Sequence, residues 1–382
     1  MAATTAAIAG IGQTEFAKVI ERPEVTLACE AAAAALADAG LAPADVDAMV
    51  RFDLETTQDI ELARNLGVEN LRFFADTPHG GGGGCATLGI AAAAVETGRA
   101  DVVLCWRSRK RGSGRRPWAT NDGAIAGEKQ YWVPFGLARP VDQVAMMARR
   151  YMHEYGLTEV QLGHVACTIR AHAQRNPAAT MTKDMDVATY LASRFVSEPL
   201  RVPDCCLESD GAVAVVVTSL ERARDLPQAP VVLVSTAMGS GPQTVGMANY
   251  FGPSITTSPA AACATSLWER TDRRPADVDC AQLYDAFTPL VVQSLEEYGF
   301  CERGEGGVWA EAGELAWPSG RLPVNTSGGG LSEAYLHGFN LISEGVRQVR
   351  GTSTSQVPGA STVLVTSGNG VPTSAVLLGS DR

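Results

Sequence analysis

The sequence predicts an α/β fold made of two related halves. Helical apolar stretches and short β-branched runs alternate along the chain, as they do in α/β proteins. The motif PADVD occurs at 43–47 and again at 275–279, each time after an alanine-rich helical stretch and before a short apolar run. A repeat in a matching context indicates a duplicated unit. Residues 85–97 are apolar nearly all round, which predicts a helix buried at the centre of the molecule.

The first half is expected to span residues 1–226. Its predicted elements are helices at 27–39, 85–97, 143–155 and 159–173 and strands at 101–105 and 212–218. Gly40 and Gly98 follow two of these helices directly, and glycine is the residue best suited to the left-handed conformation that ends a helix. Residues 108–140 contain Gly, Arg, Trp and Pro without a period, so they predict a long loop of functional importance.

A polar, proline-containing connection at 225–228 separates this half from the second half, residues 227–382. The predicted elements there are strands at 231–236, 362–367 and 374–378 and helices at 259–269, 289–298 and 332–349.

Composition excludes several classes of function. A chain of 382 residues with 46% hydrophobic residues can bury large cores, and its net charge of -11 disfavours nucleic acid or an anionic membrane as the main partner. No apolar run approaches the ~20 residues that span a bilayer. The nine cysteines lack CxxC spacing, so we expect no metal site. With no secretory signal at the N-terminus, these features favour a reduced cytoplasmic protein.

Two motifs in the second half carry most of the functional information. They are QLYDAF at 282–287 and NTSGGGLSEAY at 325–335, and both resemble active-site loops of the thiolase superfamily. The segments IAGIGQT at 8–14 and SDGA at 209–212 resemble the first strand and the end of the first half in its sterol-carrier, lipid-transfer branch. The chain is therefore identified as a member of that superfamily. The resemblance implies a duplicated thiolase fold with five layers in the order α-β-α-β-α.

The chain departs from thiolases where their chemistry depends on thiols. The resemblance places Gly81, within HGGGGG at 79–84, at the position of the nucleophilic cysteine, and Cys85 lies about one helical turn later. The second thiolase cysteine corresponds to the segment TSGNG at 366–370, which again lacks sulfur. Tyrosines stand where both motifs would carry histidine. No acyl-enzyme is therefore expected.

This combination resembles the steroid side-chain-cleaving aldolases of the superfamily. The resemblance implies retro-aldol cleavage of a β-hydroxyacyl-CoA, giving a 17-ketosteroid and propionyl-CoA. Tyr284 and Tyr335 would be the general base and acid, in an order that the sequence leaves open, and Asp285 would orient Tyr284. The residues expected to contact the substrate or the enolate oxygen are His79, Asn325, Gly368 and Gly370.

Several alternatives stay open at this point. His337 would be the motif histidine if the segment contained a two-residue bulge, and His79 could order its loop instead of contacting the thioester. The basic run at 107–116 fits a solvated loop, a partner contact or a site for the CoA phosphates, the last through Arg115 and Arg116. The whole chain could also be a sterol-carrier-type thiolase that uses Cys85, or a non-catalytic acyl-CoA- or lipid-binding subunit.

Partners follow from the same resemblance. We expect an acyl-CoA substrate, no cofactor beyond the CoA of that substrate, and a homodimer formed through the first half. Members of this branch also pair with a small OB-fold subunit that carries a zinc ribbon, of the DUF35 type. The arginines and tryptophans of the 108–140 loop have the composition of an interface anchor.

Overall fold

A computed structural model describes residues 5–114, 125, 127–241, 254–369 and 372–381. Within these residues the strands are β1 (Ala6–Gln13), β2 (Ala48–Phe52), β3 (Phe73–Thr77), β4 (Val102–Lys110), β5 (Phe195–Ser197), β6 (Leu200–Arg201), β7 (Asp210–Ser219), β8 (Val231–Gly239), β9 (Cys280–Gln282), β10 (Thr362–Ser367) and β11 (Thr373–Ser380). The helices are α1 (Glu24–Ala39), α2 (Asp59–Leu66), α3 (Gly84–Glu96), α4 (Pro140–Tyr155), α5 (Glu159–Ala173), α6 (Val187–Ala192), α7 (Leu220–Arg224), α8 (Pro259–Trp268), α9 (Thr288–Glu297), α10 (Gly306–Glu311) and α11 (Phe339–Arg350).

The main sheet has an internal two-fold pattern. Its strand order in the described chain is β3-β2-β4-β7-β1-β8-β11-β10-β9. On one side β1 runs antiparallel to β7, β7 antiparallel to β4, and β4 parallel to β2. On the other side β8, β11, β10 and β9 repeat those three relationships. The two sets meet at β1 and β8, which pair only through Ala7 with Val232 and Ile8 with Val231. This two-fold pattern agrees with the duplication that the repeated sequence motif predicts.

Three separate hydrophobic clusters show that the chain is layered. Alternate residues of β1, β4 and β7 face α1 on one side and the central helices α3 and α11 on the other. The strands of the second half divide in the same way between those central helices and an outer layer of α4, α5, α8 and α9. Period-two alternation is what lets one sheet bury both of its faces. The predicted α-β-α-β-α order is confirmed.

The repeated PADVD motif has the same structure in both halves. Pro43–Asp45 and Pro275–Asp277 are single 3₁₀ turns, and each leads into a strand, β2 or β9. Proline at the first position and an aspartate that accepts from the backbone N–H three residues earlier stabilise each turn. Helix α1 ends at Gly40 with φ of 69°, as predicted. The division at 226/227 falls between α7 and β8 and stays a prediction.

Two predicted elements differ from the structure. The helix predicted at 332–349 begins only at Phe339, because His337 and Gly338 have φ of 53° and 90° and cannot continue a right-handed helix. The loop predicted at 108–140 is shorter, since β4 stays paired with β7 up to Lys110 and Asp210. The described part of the loop includes 3₁₀ turns at Gly127–Tyr131 and Val133–Phe135.

Among the described residues, no helix has both the length and the apolar character needed to cross a bilayer. The cytoplasmic location expected from composition stays a prediction.

Candidate active site

Tyr284 is fixed at the carboxyl end of β9. Its backbone N–H donates to Thr366 Oγ1 of the neighbouring strand β10 at 2.8 Å. The Asn325 side chain clamps the preceding residue, because Oδ1 accepts from Leu283 N at 2.7 Å and Nδ2 donates to Leu283 O at 2.9 Å. Asn325 was predicted to contact the substrate or the enolate oxygen. Instead, both ends of its amide hold the main chain that carries Tyr284, so it is a positioning residue.

Tyr335 lies in the irregular segment between a π-helical turn, Gly329–Glu333, and α11. Asp285 holds that turn, because its Oδ1 accepts from Gly330 N at 2.7 Å and its Oδ2 from Leu331 N at 3.2 Å. Burial raises the pKa of Asp285 to about 6. The carboxylate predicted to orient Tyr284 therefore anchors the turn leading to Tyr335.

The two tyrosine side chains meet. Their hydroxyls form a direct hydrogen bond, and their ring centroids lie 6.0 Å apart. Only 3% of Tyr284 and 6% of Tyr335 are exposed. Burial raises the pKa of both hydroxyls. The charge of Arg111, whose guanidinium lies 4.8 Å from the Tyr335 ring centroid, opposes that rise for both tyrosines. The shared hydrogen bond lowers the pKa of Tyr335 and raises that of Tyr284, so Tyr335 is the member of the pair on which negative charge is better stabilised.

The pair lines a cavity of about 380 Å³. Its wall is formed by Leu54, Gly80, Gly81, Arg111, Arg139, Pro140, Val141, Val196, Cys205, Cys206, Glu208, Tyr284, Ala286, Phe287, Tyr335, His337 and Asn369. A mostly apolar pocket with a few polar groups that converge is the usual form of a small-molecule site.

The remaining predicted contacts are distributed as follows. His79 is exposed, has φ of 76° and is not part of this cavity wall, although its neighbour Gly80 is. It precedes the Gly80–Gly83 turn without a side-chain cap hydrogen bond, so its role as a thioester contact or in ordering the loop stays a prediction. Gly368 follows β10, is buried and has φ of 76°. Gly370, Arg115 and Arg116 lie outside the described residues.

The position of the thiolase nucleophile is closed to a side chain. A methyl group on Gly81 would lie 2.0 Å from the Tyr284 hydroxyl oxygen. Cys85 is buried on α3, where its Sγ donates to Val365 O at 3.6 Å, and burial raises its pKa to about 12. A thiol with that pKa is a poor nucleophile near neutral pH. Cys85 does not line the cavity that holds the tyrosines.

Sequence reasoning missed two cysteines of the cavity wall, Cys205 and Cys206. Burial raises the pKa of the Cys206 thiol to about 12 although Arg111 lies nearby. Neither cysteine occupies a thiolase motif position, so only the fold could bring them to the tyrosines.

The basic run at 107–116 is not simply a solvated loop. Arg107 is fully buried and forms an ion pair with Glu55, which is also fully buried. Burial raises the pKa of Glu55 to about 7, and the charge of Arg107 opposes that rise. Arg111 reaches the cavity.

The described residues contain no group of three or more His, Cys, Asp or Glu side chains able to hold a metal ion.

Comparison with known proteins agrees with this geometry. The family model described as "Thiolase C-terminal domain-like" matches residues 243–378. The chain is 48% identical to a protein of Thermomonospora curvata named "Steroid side-chain-cleaving aldolase", covering 99% of this chain and 98% of that one. It is 46% identical to a "17-hydroxy-3-oxo-4-pregnene-20-carboxyl-CoA lyase" of Mycobacterium tuberculosis, covering 98% and 99%. A solved structure described as "Ltp2-ChsH2(DUF35) aldolase" superposes with a TM-score of 0.95 at 48% identity, covering 99% of this chain and 98% of its own. The chain therefore belongs to the thiolase superfamily and, within it, to the family of steroid side-chain-cleaving aldolases.

Proposed function

We propose that this chain is a lyase that cleaves a 17-hydroxy steroid side-chain CoA thioester by a retro-aldol reaction, giving a 17-ketosteroid and propionyl-CoA. The observation that carries the proposal is the hydrogen-bonded pair of buried tyrosine hydroxyls in a cavity where the nucleophile position is closed. The names of both close relatives support the substrate class.

The reaction needs few groups. A base takes the proton of the β-hydroxyl, the bond between Cα and Cβ breaks, and its electrons form the enolate of the thioester. An acid protonates Cα as the enolate forms. The thioester itself stabilises the carbanion, so we propose that no covalent intermediate and no cofactor beyond the substrate's CoA are required.

The tyrosine pair can carry the proton from the β-hydroxyl oxygen to Cα. We assign the base end to Tyr335, since the shared hydrogen bond lowers the pKa of Tyr335 and raises that of Tyr284. In one concerted relay Tyr335 accepts the β-hydroxyl proton while its own proton passes through the shared hydrogen bond and Tyr284 delivers its proton to Cα. The pair begins and ends neutral, so the raised pKa of each hydroxyl is no obstacle.

A second subunit is part of the proposal. The similar solved aldolase carries "ChsH2(DUF35)" in its description. We propose that this chain likewise binds a small DUF35-type subunit, around a homodimer core. The loop expected to provide the anchor exposes two aromatic side chains, Tyr131 at 68% and Phe135 at 80%. Exposed aromatic residues of this kind are enriched at protein interfaces.

Product analysis in D₂O tests the function. The chain, co-expressed with its DUF35-type subunit, is incubated with a 17-hydroxy steroid side-chain CoA thioester. We expect 17-ketosteroid and propionyl-CoA in equal amounts, with one deuterium at Cα of the propionyl group. Binding without turnover would support the non-catalytic alternative instead. An acetylated product that depends on added acetyl-CoA would support an acyltransferase.

A further inference from the structure

His337 has a place in the cavity that the tyrosine mechanism does not use. Its ring lies between Phe52 and Tyr335, with centroid distances of 5.4 and 4.8 Å. It is 7% exposed and lines the same cavity as both tyrosines. Two arginines, Arg107 and Arg111, approach its two ring nitrogens from different sides.

The arginines determine which nitrogen carries the hydrogen. Nδ1 is 3.0 Å from Arg107 Nη2 and 3.3 Å from Arg107 Nε, so it accepts from a guanidinium that can only donate. Arg107 is held in place by its buried ion pair with Glu55. Burial and the nearby arginines keep the pKa of His337 well below its ordinary value, so the ring is neutral. A neutral imidazole that accepts at Nδ1 carries its hydrogen on Nε2.

The Nε2–H group lies beside a second residue of the cavity wall. Nε2 is 3.4 Å from Nη1 of Arg111, another residue of the cavity wall. A guanidinium can only donate, so it cannot accept from Nε2–H, and an oxygen that carries negative charge is the partner that suits this imidazole donor. Arg111 also interacts electrostatically with Glu208 and Tyr335, so the imidazole is the more specific donor.

The backbone is distorted at this residue. His337 has φ of 53° and is followed by Gly338 with φ of 90°. The left-handed region is uncommon and energetically unfavourable for a residue with a side chain. Strain of this kind persists where the surrounding structure requires it, and here it places Tyr335 and His337 on one cavity wall.

We propose that His337 donates the hydrogen bond that stabilises the thioester oxygen as the enolate forms. This inference rests on the proposed function for the identity of the oxygen. When the Cα–Cβ bond breaks, its electron pair moves onto the thioester and the charge gathers on the oxygen that faces Nε2–H. The imidazole keeps its proton throughout, because the tyrosines move the proton that the reaction transfers.

Two variants separate the donor from the ring that carries it. His337→Asn places an amide at the position of Nδ1, keeps an acceptor for Arg107 and removes the Nε2 donor. Asparagine also tolerates positive φ better than most residues. His337→Gln retains an N–H donor near the position of Nε2. Circular dichroism and thermal unfolding confirm that each variant folds.

Two measurements are compared across wild type and these variants. Turnover of the steroid thioester should fall about 10²–10³-fold in kcat for His337→Asn with little change in KM, the usual loss for one oxyanion donor. His337→Gln should recover at least a tenth of wild-type kcat. Binding of a CoA conjugate that carries a nitronate in place of the enolate should weaken about 100-fold in His337→Asn, and a neutral acyl-CoA should bind equally to both.

The outcomes for the two proposals are distinct. If wild type does not cleave the steroid thioester, the proposed function fails, and the nitronate measurement still tests His337. Equal nitronate affinity in wild type and His337→Asn overturns the inference. So does wild-type kcat in His337→Asn.

Discussion

The Tyr284 hydroxyl fills the space in which a side chain at residue 81 would stand. A methyl group on Gly81 would lie 2.0 Å from the Tyr284 oxygen and 2.7 Å from the carbon that bears it. Contacts below 3.0 Å require one partner to move. The loss of the nucleophile and the gain of the tyrosine are thus sterically linked: a cysteine at 81 and a tyrosine at 284 cannot share this site unchanged.

The substitution Gly81→Ala tests whether the Tyr284 hydroxyl must occupy this position. We expect the variant to fold and to lose more than about 10-fold in kcat, because the methyl group displaces the Tyr284 hydroxyl and catalytic geometry tolerates little displacement. Gly89→Ala is the matched control, since the atoms nearest to its new methyl group would be Thr236 Oγ1 at 3.4 Å, Thr236 Cβ at 3.5 Å and Met238 Cε at 3.9 Å, which are tolerable contact distances. Wild-type kcat in Gly81→Ala would show that the Tyr284 hydroxyl is not held where the structure has it.

Thiols should have no role in the chemical step. After incubation with acetoacetyl-CoA, intact-mass spectrometry should find no acylated cysteine, and Cys85→Ser should keep wild-type turnover. Alkylation by itself is a poor test, because a group attached to Cys205 or Cys206 would occupy the cavity. Detection of an acyl group on any cysteine would indicate instead that the chain is an acyltransferase.

The raised pKa of each tyrosine makes a prediction about pH. A raised pKa means that the neutral hydroxyl persists to higher pH than the ordinary value of about 10. The turnover rate should therefore not increase through ionisation of either tyrosine with an apparent pKa of 7–9. Difference spectra at 295 nm between wild type and Tyr335→Phe should show no tyrosinate signal below about pH 10. A signal at pH 8 would mean that the pair works as a preformed tyrosinate.

The proposed partner surface can be tested by co-purification. With Tyr131→Ser and Phe135→Ser combined, we expect the tagged DUF35-type subunit to lose most of its bound chain. Val308→Ser is the control, because Val308 is also apolar and 53% exposed but lies on α10. A wild-type chain that is soluble and fully active without the small subunit would show that the partner is unnecessary.

Much of the fold was predictable because its signals are local. The buried helix was predicted at 85–97 and is found at Gly84–Glu96, since a helix apolar on all faces can only lie between two layers. The conformation of the 332–338 segment could not be predicted, because Ser209 holds Tyr335 within it and Asp285 holds Gly330 and Leu331 just before it. Apolar residues show that a segment is buried, and its backbone conformation depends on partners that are distant in sequence.

The candidate site was predictable where a motif carried it. Tyr284 and Tyr335 were predicted from their motifs, and the structure joins their hydroxyls. The roles of Asn325 and Asp285 were predicted incorrectly, since a carboxylate or an amide in a motif looks the same whether it faces substrate or backbone. His337 and Arg107 are 230 positions apart, so only the folded chain brings them together.

The central claim is that two tyrosines and no thiol cleave the carbon–carbon bond. Single-turnover cleavage of a 17-hydroxy steroid side-chain CoA thioester by wild type, Tyr284→Phe and Tyr335→Phe tests it most directly. Phenylalanine keeps the ring and its packing and removes only the hydroxyl. We expect each variant to fold, to bind the thioester, and to cleave it about 10²–10⁴-fold more slowly than wild type, the usual loss for a general acid or base. Cleavage at the wild-type rate in either variant would contradict the account.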